Sequence, residues 1–214
     1  MEKSYVIYPE TKIGENAKIG LFSLVGYPCN GEFSHNITVI GENAVIRPYS
    51  IIYEGNTIGN NFQTGAGVSI REANIIGNNV SIGTHSVIEH HVVIEDGVRI
   101  HSDVFIPEYS VLKKNCWIGP CVVVTNALHP KCPKVKDCIK GITVGENTII
   151  GANVTTLPDI FIVSNCLIAA GSLVTKSIEE SGVYAGTPCK KIMELKDIKC
   201  RYNLISNPYC PEVK

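Results

Sequence analysis

Glu72, His90, Glu108 and Asn126 follow one another at a constant interval of eighteen residues, with Arg71 and Glu89 beside the first two. Imidazole and carboxylate groups accept protons near neutral pH, and an amide side chain fixes the direction of a polar partner. Set along one edge of a fold, such a series suits proton transfer at a bound substrate. A second series at the same interval reads Gly65, Gly83, His101 and Gly119. Polar residues flanking a column of small ones have the make-up of a groove. His101 and Glu108 are the strongest candidates, because they point towards the end of the chain's repeat where Asn126 opens a long interruption. A single His or Glu at an exposed turn is more often a solvated residue than a catalyst. The two series therefore carry weight only if the chain stacks once every eighteen residues.

The hydrophobic pattern says that it does. Ile40, Ile46, Ile52, Ile58, Ile70, Ile76, Ile82, Ile88, Ile94, Ile100, Ile106, Leu112, Ile118 and Val124 recur at steps of six, broken only by Thr64. After an interruption the period resumes at Val144, Ile150, Thr156, Ile162, Ile168 and Val174. A helix needs a period near 3.6 and a simple strand a period of 2, and neither fits so long a run. The residue four places after most marks is small or apolar, and the one just after is often Gly. This predicts short strands joined by sharp corners, with one aliphatic side chain per side pointing inward. Three sides close one triangular coil, and equivalent residues stack about 4.8 Å apart.

Residues 27–37 and 125–143 interrupt the period, and loops projecting from a rigid solenoid often carry function. The period ends near Lys176, and the next segment is expected to form a turn and one short helix. The expected organisation is a β-helix domain over residues 1–186, followed by a helix and a poorly ordered tail over residues 187–214.

Composition excludes several classes. With 18% charged residues, 44% hydrophobic residues and a formal net charge of −1, nothing recommends a nucleic-acid or membrane partner. The first fourteen residues lack the apolar core of a signal peptide, and no stretch approaches a membrane span. A cytoplasmic protein is expected. The nine cysteines contain no CxxC pair and read as reduced thiols. Cys116, Cys166 and Cys121 fall where small buried side chains are wanted, and the spacing of Cys132 and Cys138 suits zinc poorly.

The pattern aliphatic-Gly-x-x-small-x over roughly residues 13–176 resembles the hexapeptide-repeat acyltransferase superfamily. The resemblance implies an all-β, left-handed parallel β-helix, a hand that periodicity does not fix and that runs against the usual crossover preference. It also implies acyl transfer from coenzyme A, a homotrimer, and coenzyme A in clefts between subunits. Val98 to Asn126 resembles a subgroup that N-acylates amino groups of nucleotide-linked sugars. That subgroup's loop carries Thr-Asn-Asp and then Pro, against Thr125, Asn126, Ala127 and Pro130 here, so its Asp carboxylate is replaced by Ala127. The C-terminal rungs resemble the coenzyme-binding edge through Gly119, Gly151, Ala152, Ala169, Ala170, Lys176, Pro188, Lys190 and Lys191. Small residues there would let pantetheine lie against backbone amides, and lysines would meet phosphates.

On this reading Glu108 with His101 accepts the amine proton and Asn126 orients the amine. Arg71, Glu72, His90 and His129 contact the acceptor sugar or its pyrophosphate, and no metal is expected. Three rivals stay open. One is a sugar O-acetyltransferase using His129 as base, although His129-Pro130 follows Thr125 one residue late for that register. Another is a zinc carbonic anhydrase-like trimer through His85 and His90, whose third position, two coils before His85, is Tyr49. The last is a trimeric scaffold without chemistry.

Overall fold

The computed structural model describes residues 4–29 and 36–209. Residues 30–35 of the first interruption and the last five residues of the expected tail lie outside the described residues. Among the described residues the chain coils through three sheets of nine, eight and ten strands, parallel throughout except for the terminal strand of sheet three. Sheet one runs from Val6–Ile7 to Leu173–Val174, sheet two from Thr11–Ile13 to Phe161–Ile162, and sheet three from Lys18–Ile19 to Cys189–Met193. It is a left-handed parallel β-helix.

Register follows the marks read from the sequence. Ile70 pairs with Ile88, Ile76 with Ile94, and Ile82 with Ile100. Each inward aliphatic residue therefore stacks on its counterpart in the next coil, and the columns are almost fully shielded from water. Burying one such side chain contributes roughly 1.5–3 kcal/mol. Both interruptions leave from the corner between sheets one and two. They lengthen one coil apiece, to a spacing of 27 at Asn16–Asn43 and 32 at Asn115–Asn147, instead of 18. The register then resumes, with Ile118 on Ile150 and Ile150 on Ile168.

Most corners turn through one residue of positive φ. Asn43, Asn61, Asn79 and Asn115 take it at 56–57°, where a short polar side chain tolerates the left-handed region. Their amides also bond along the stack, Asn43 to Asn61 at 3.3 Å and Asn61 to Asn79 at 2.9 Å. Phe22, Tyr49, His85, His91, Tyr109 and Cys121 occupy the same turn position. Cys121 is thus exposed, where the sequence suggested packing. Cys116 and Cys166 are buried as expected.

The expected C-terminal helix is corrected. Gly182–Gly186 and Cys189–Met193 form an antiparallel hairpin, and Leu195–Asp197 is only a single 3-10 turn. The first hairpin strand pairs with Cys166–Ile168 and continues sheet three. Its N–H and C=O groups satisfy an edge that a helix would leave open. The pairing also crosses the boundary expected between residues 186 and 187.

Candidate active site

The corner between sheets one and two carries one candidate column. Glu54, Glu72, His90, Glu108 and Asn126 occupy its equivalent positions in successive coils, and Tyr53, Arg71 and Glu89 lie just before the first three. The corner is held by two residues that the sequence did not single out, the buried Asn56 and Asn74. Both donate their amides to the Arg71 carbonyl, each at 2.8 Å. Asn56 Oδ1 accepts the Asn74 N–H at 3.0 Å, and Asn74 Oδ1 accepts the Val92 N–H at 2.7 Å. Their signal was an amide where most coils place a small or apolar side chain.

Arg71 forks onto Glu72, with Nε to Oε2 at 2.8 Å and Nη2 to Oε1 at 2.9 Å, and reaches Glu89 Oε2 at 3.5 Å. It also lies 5.1 Å from the centre of the Tyr53 ring. Burial pushes the Glu72 carboxyl up, but the Arg71 hydrogen bond, a backbone N–H and the guanidinium charge outweigh it and hold the carboxyl below its usual range. Burial dominates at Glu89 and raises it, with Arg71 only partly offsetting the effect.

Further along the same edge, Asn126 Nδ2 donates to Glu108 Oε2 at 2.5 Å. His90 Nε2 lies 3.7 Å from Glu108 Oε1. The His90 and His91 Nδ1 atoms are 2.8 Å apart, so one of them donates, and Tyr109 packs against both rings. The neck of the long loop closes here. Thr125 Oγ1 donates to the Thr156 carbonyl at 2.8 Å, and the Lys140 N–H to the Asn126 carbonyl at 3.0 Å. Where the loop returns, a Cβ on Gly141 would come within 2.4 Å of Ser110 Oγ and 2.7 Å of the Glu108 carbonyl, so only glycine fits beside the cluster. Beyond the neck, His129 is exposed. No described contact joins its ring to Glu108 or Asn126.

His101 lies on a different edge, the corner between sheets three and one, a full side of the coil away from Glu108. Its ring packs on Trp117 at 4.4 Å, and its buried Nε2 has no hydrogen-bond partner. Burial, then the charge of Arg99, lowers its pKa. Within one chain the structure therefore joins Glu108 to Asn126 and His90, and leaves His101 apart. His85 shares the corner of His101 rather than that of His90, so the two histidines do not face one site in a single chain.

Most of the expected coenzyme residues share the His101 corner, but Lys176, two residues past Leu173–Val174 of sheet one, lies instead on the corner of Glu108 and Asn126. Gly119, Gly151 and Ala169 follow His101 up the edge, with Ala152 and Ala170 beside them. The hairpin joins this edge where the Gly186 N–H bonds to Ser172 Oγ at 3.2 Å, which brings Pro188 and Lys190 near it. Lys176 and Lys190 are exposed. Lys191 is committed to Glu180 at 2.6 Å and Glu194 at 2.7 Å, contacts that push its pKa up.

Residues 75–108 match the family described as bacterial transferase hexapeptide (six repeats). Over that stretch the chain is similar to the hexapeptide-repeat transferases. A galactoside O-acetyltransferase of Lactococcus lactis is 34% identical over 100 residues, which is 45% of each chain. A 2,3,4,5-tetrahydropyridine-2,6-dicarboxylate N-acetyltransferase of Staphylococcus aureus is 29% identical over 86 residues, 40% of this chain and 34% of that one. The chain spans less than half the length of the curated relatives it matches. Among solved structures, the UDP-N-acetylglucosamine acyltransferase of Francisella novicida superposes with a TM-score of 0.60 at 19% identity, covering 85% of this chain and 67% of that one. At that identity the likeness is one of fold. Among the described residues no helix is long and apolar enough to cross a membrane.

Proposed function

We propose that this protein transfers an acetyl group from coenzyme A to an amino group of a nucleotide-linked sugar. The observation that carries this reading is the Asn126–Glu108–His90 cluster at the neck of the long loop. Attack by the amine nitrogen on the thioester carbonyl forms the C–N bond, the C–S bond breaks, and coenzyme A leaves as its thiol. The amine must shed a proton on the way. Glu108, half-buried beside His90, is placed to take it, and Asn126 fixes both the carboxylate and the amine that approaches it. Arg71 and Glu72, two coils earlier on the same edge, would meet the sugar or its phosphates.

The coenzyme reading rests on the lane of small residues from Gly119 through Gly151 and Ala152 to Ala169 and Ala170. A Cβ on Gly119 would come within 2.7 Å of the Ala152 amide nitrogen, so this edge presents backbone rather than side chains. That lane and the Glu108 cluster lie on different edges of one prism. A neighbouring copy can bring them together, which favours a homotrimer with sites shared between subunits. His101 would then reach the Glu108 cluster from the adjacent chain.

The second reading is O-acetylation of a sugar hydroxyl with His129 as base, favoured by the likeness to galactoside O-acetyltransferases. Coenzyme A release from acetyl-coenzyme A, measured with amino-sugar nucleotides and with neutral sugars as acceptors, separates the two. Activity with neutral sugars alone, abolished by His129→Ala, would overturn the amine reading.

A further inference from the structure

Sheet three and its corner with sheet one form an open groove over the middle coils, lined by Arg47, Gln63, Ser81, Thr84, Arg99 and His101 among others. Its volume of ≈ 590 Å³ is that of a small-molecule site. No Asp or Glu lines it, although the chain as a whole has 20 acidic residues to 19 basic ones. Among the described residues neither guanidinium in the groove is paired with a carboxylate, whereas Arg71 is paired with two.

The groove's shape follows from the register. Gln63, Ser81, Arg99 and Trp117 are neighbours in successive strands of sheet three, facing outward. Ser81 is the short member, so a notch opens between Gln63 and Arg99, spanning two strand steps of about 4.8 Å each. On the adjoining corner Arg47 and His101 are separated by Gly65 and Gly83, which leave the floor without side chains. Arg47 is fixed over that floor by a bond from Nη1 to the Thr64 carbonyl. At the far end, Trp117 holds the His101 ring with Nε2 buried and unpartnered. Two guanidinium forks, a hydroxyl and an amide, with no competing carboxylate, make a receptor for phosphate oxygens.

We infer that this groove binds the diphosphate of a nucleotide through Arg47 and Arg99. The diphosphate has two possible sources, coenzyme A itself or a nucleotide-linked acceptor. The inference does not depend on the acyl-transfer reading, because binding is measured without turnover.

The test is calorimetric titration of the full chain with inorganic pyrophosphate, UDP and coenzyme A, using wild type, Arg47→Gln, Arg99→Gln and Arg201→Gln as a distant control. Both groove arginines are exposed, so their replacement leaves the core intact. Each groove variant should lose about tenfold or more in pyrophosphate affinity, the scale of one charge-assisted hydrogen bond, and the control should not. A parallel loss for UDP assigns the groove to the acceptor, and a parallel loss for coenzyme A assigns it to the coenzyme. Pyrophosphate should also shift the ring resonances of His101, which lines the groove, in wild type. Pyrophosphate affinity unchanged in both groove variants, or no binding of any probe to wild type, overturns the inference.

Discussion

Asn126 and Glu108 stand one coil apart on the same edge, and the Asn126 amide donates to the Glu108 carboxylate at 2.5 Å. The bond ties the first residues of the long loop to the rung below it. It leaves the second carboxylate oxygen facing His90 Nε2 at 3.7 Å. A carboxylate held this way has its direction fixed and one oxygen available for a proton.

Glu108→Gln keeps the size of the side chain and removes the proton acceptor. General-base help contributes about 10²–10⁴-fold, so kcat should fall in that range with little change in the KM for acetyl-coenzyme A. Asn126→Ala should lower kcat less, because it loosens the carboxylate without removing it. Equal rates for wild type and Glu108→Gln would remove this edge from the chemistry.

Two threonines in the aliphatic columns should answer oppositely to the same substitution. Thr64 Oγ1 accepts the Arg47 N–H at 2.9 Å and lies 3.3 Å from Ser50 Oγ. Thr156 Oγ1 is buried with no partner. Thr64→Val orphans a buried donor and should cost about 1–3 kcal/mol, whereas Thr156→Val removes an unsatisfied hydroxyl and should be neutral or stabilising by about 1 kcal/mol. Chemical denaturation of both variants checks the contrast, and a larger loss for Thr156→Val than for Thr64→Val would refute it.

The lysines of the C-terminal hairpin should separate in the same way. Lys191 already spends its charge on Glu180 and Glu194, while Lys190 is exposed. Lys190→Ala should raise the KM for acetyl-coenzyme A about three- to tenfold with kcat unchanged, as expected for a contact equal in ground and transition states. Lys191→Ala should lower thermal stability and leave KM nearly alone. The reverse assignment of effects would show that the phosphate-facing lysine was misplaced.

Acid should act on two neighbouring carboxyls with opposite sign. The folded pKa of Glu72 is depressed, so its contribution to stability is present above the unfolded value and is lost as pH falls through the folded one. The folded pKa of Glu89 is raised, so protonation as pH falls favours the folded chain there. Arg71→Met removes the hydrogen bonds that hold Glu72 down, and its carboxyl should then titrate at higher pH. Carbon NMR of the Glu72 carboxyl in both proteins reads this directly, and an unchanged titration would mean that Arg71 is not the cause.

The coil was legible because one inward aliphatic residue per side repeats for the length of the chain, and each misplaced side chain would break a stack. Stacking by eighteen also placed Glu72, His90, Glu108 and Asn126 on one edge correctly. It also set His101 in a separate series; what it could not show is that a full side of the coil keeps the His101 ring out of reach of Glu108 within one chain. The hairpin was hidden for a different reason. Its residues have no period of six, and the open edge of sheet three that recruits Gly182–Gly186 exists only once the coil has formed. Asn56 and Asn74 went unnoticed because an interior amide reads as a lapse in the pattern until its partners are known.

The most direct test of the account is the transfer reaction itself. Wild type and Glu108→Gln are incubated with acetyl-coenzyme A and a panel of nucleotide-linked amino sugars, and thiol release is followed with and without acceptor. The account predicts acceptor-dependent release of coenzyme A by wild type, an N-acetylated product by mass spectrometry, and a loss of about 100-fold or more in the variant. Acceptor-dependent release that survives Glu108→Gln and disappears in His129→Ala would contradict it.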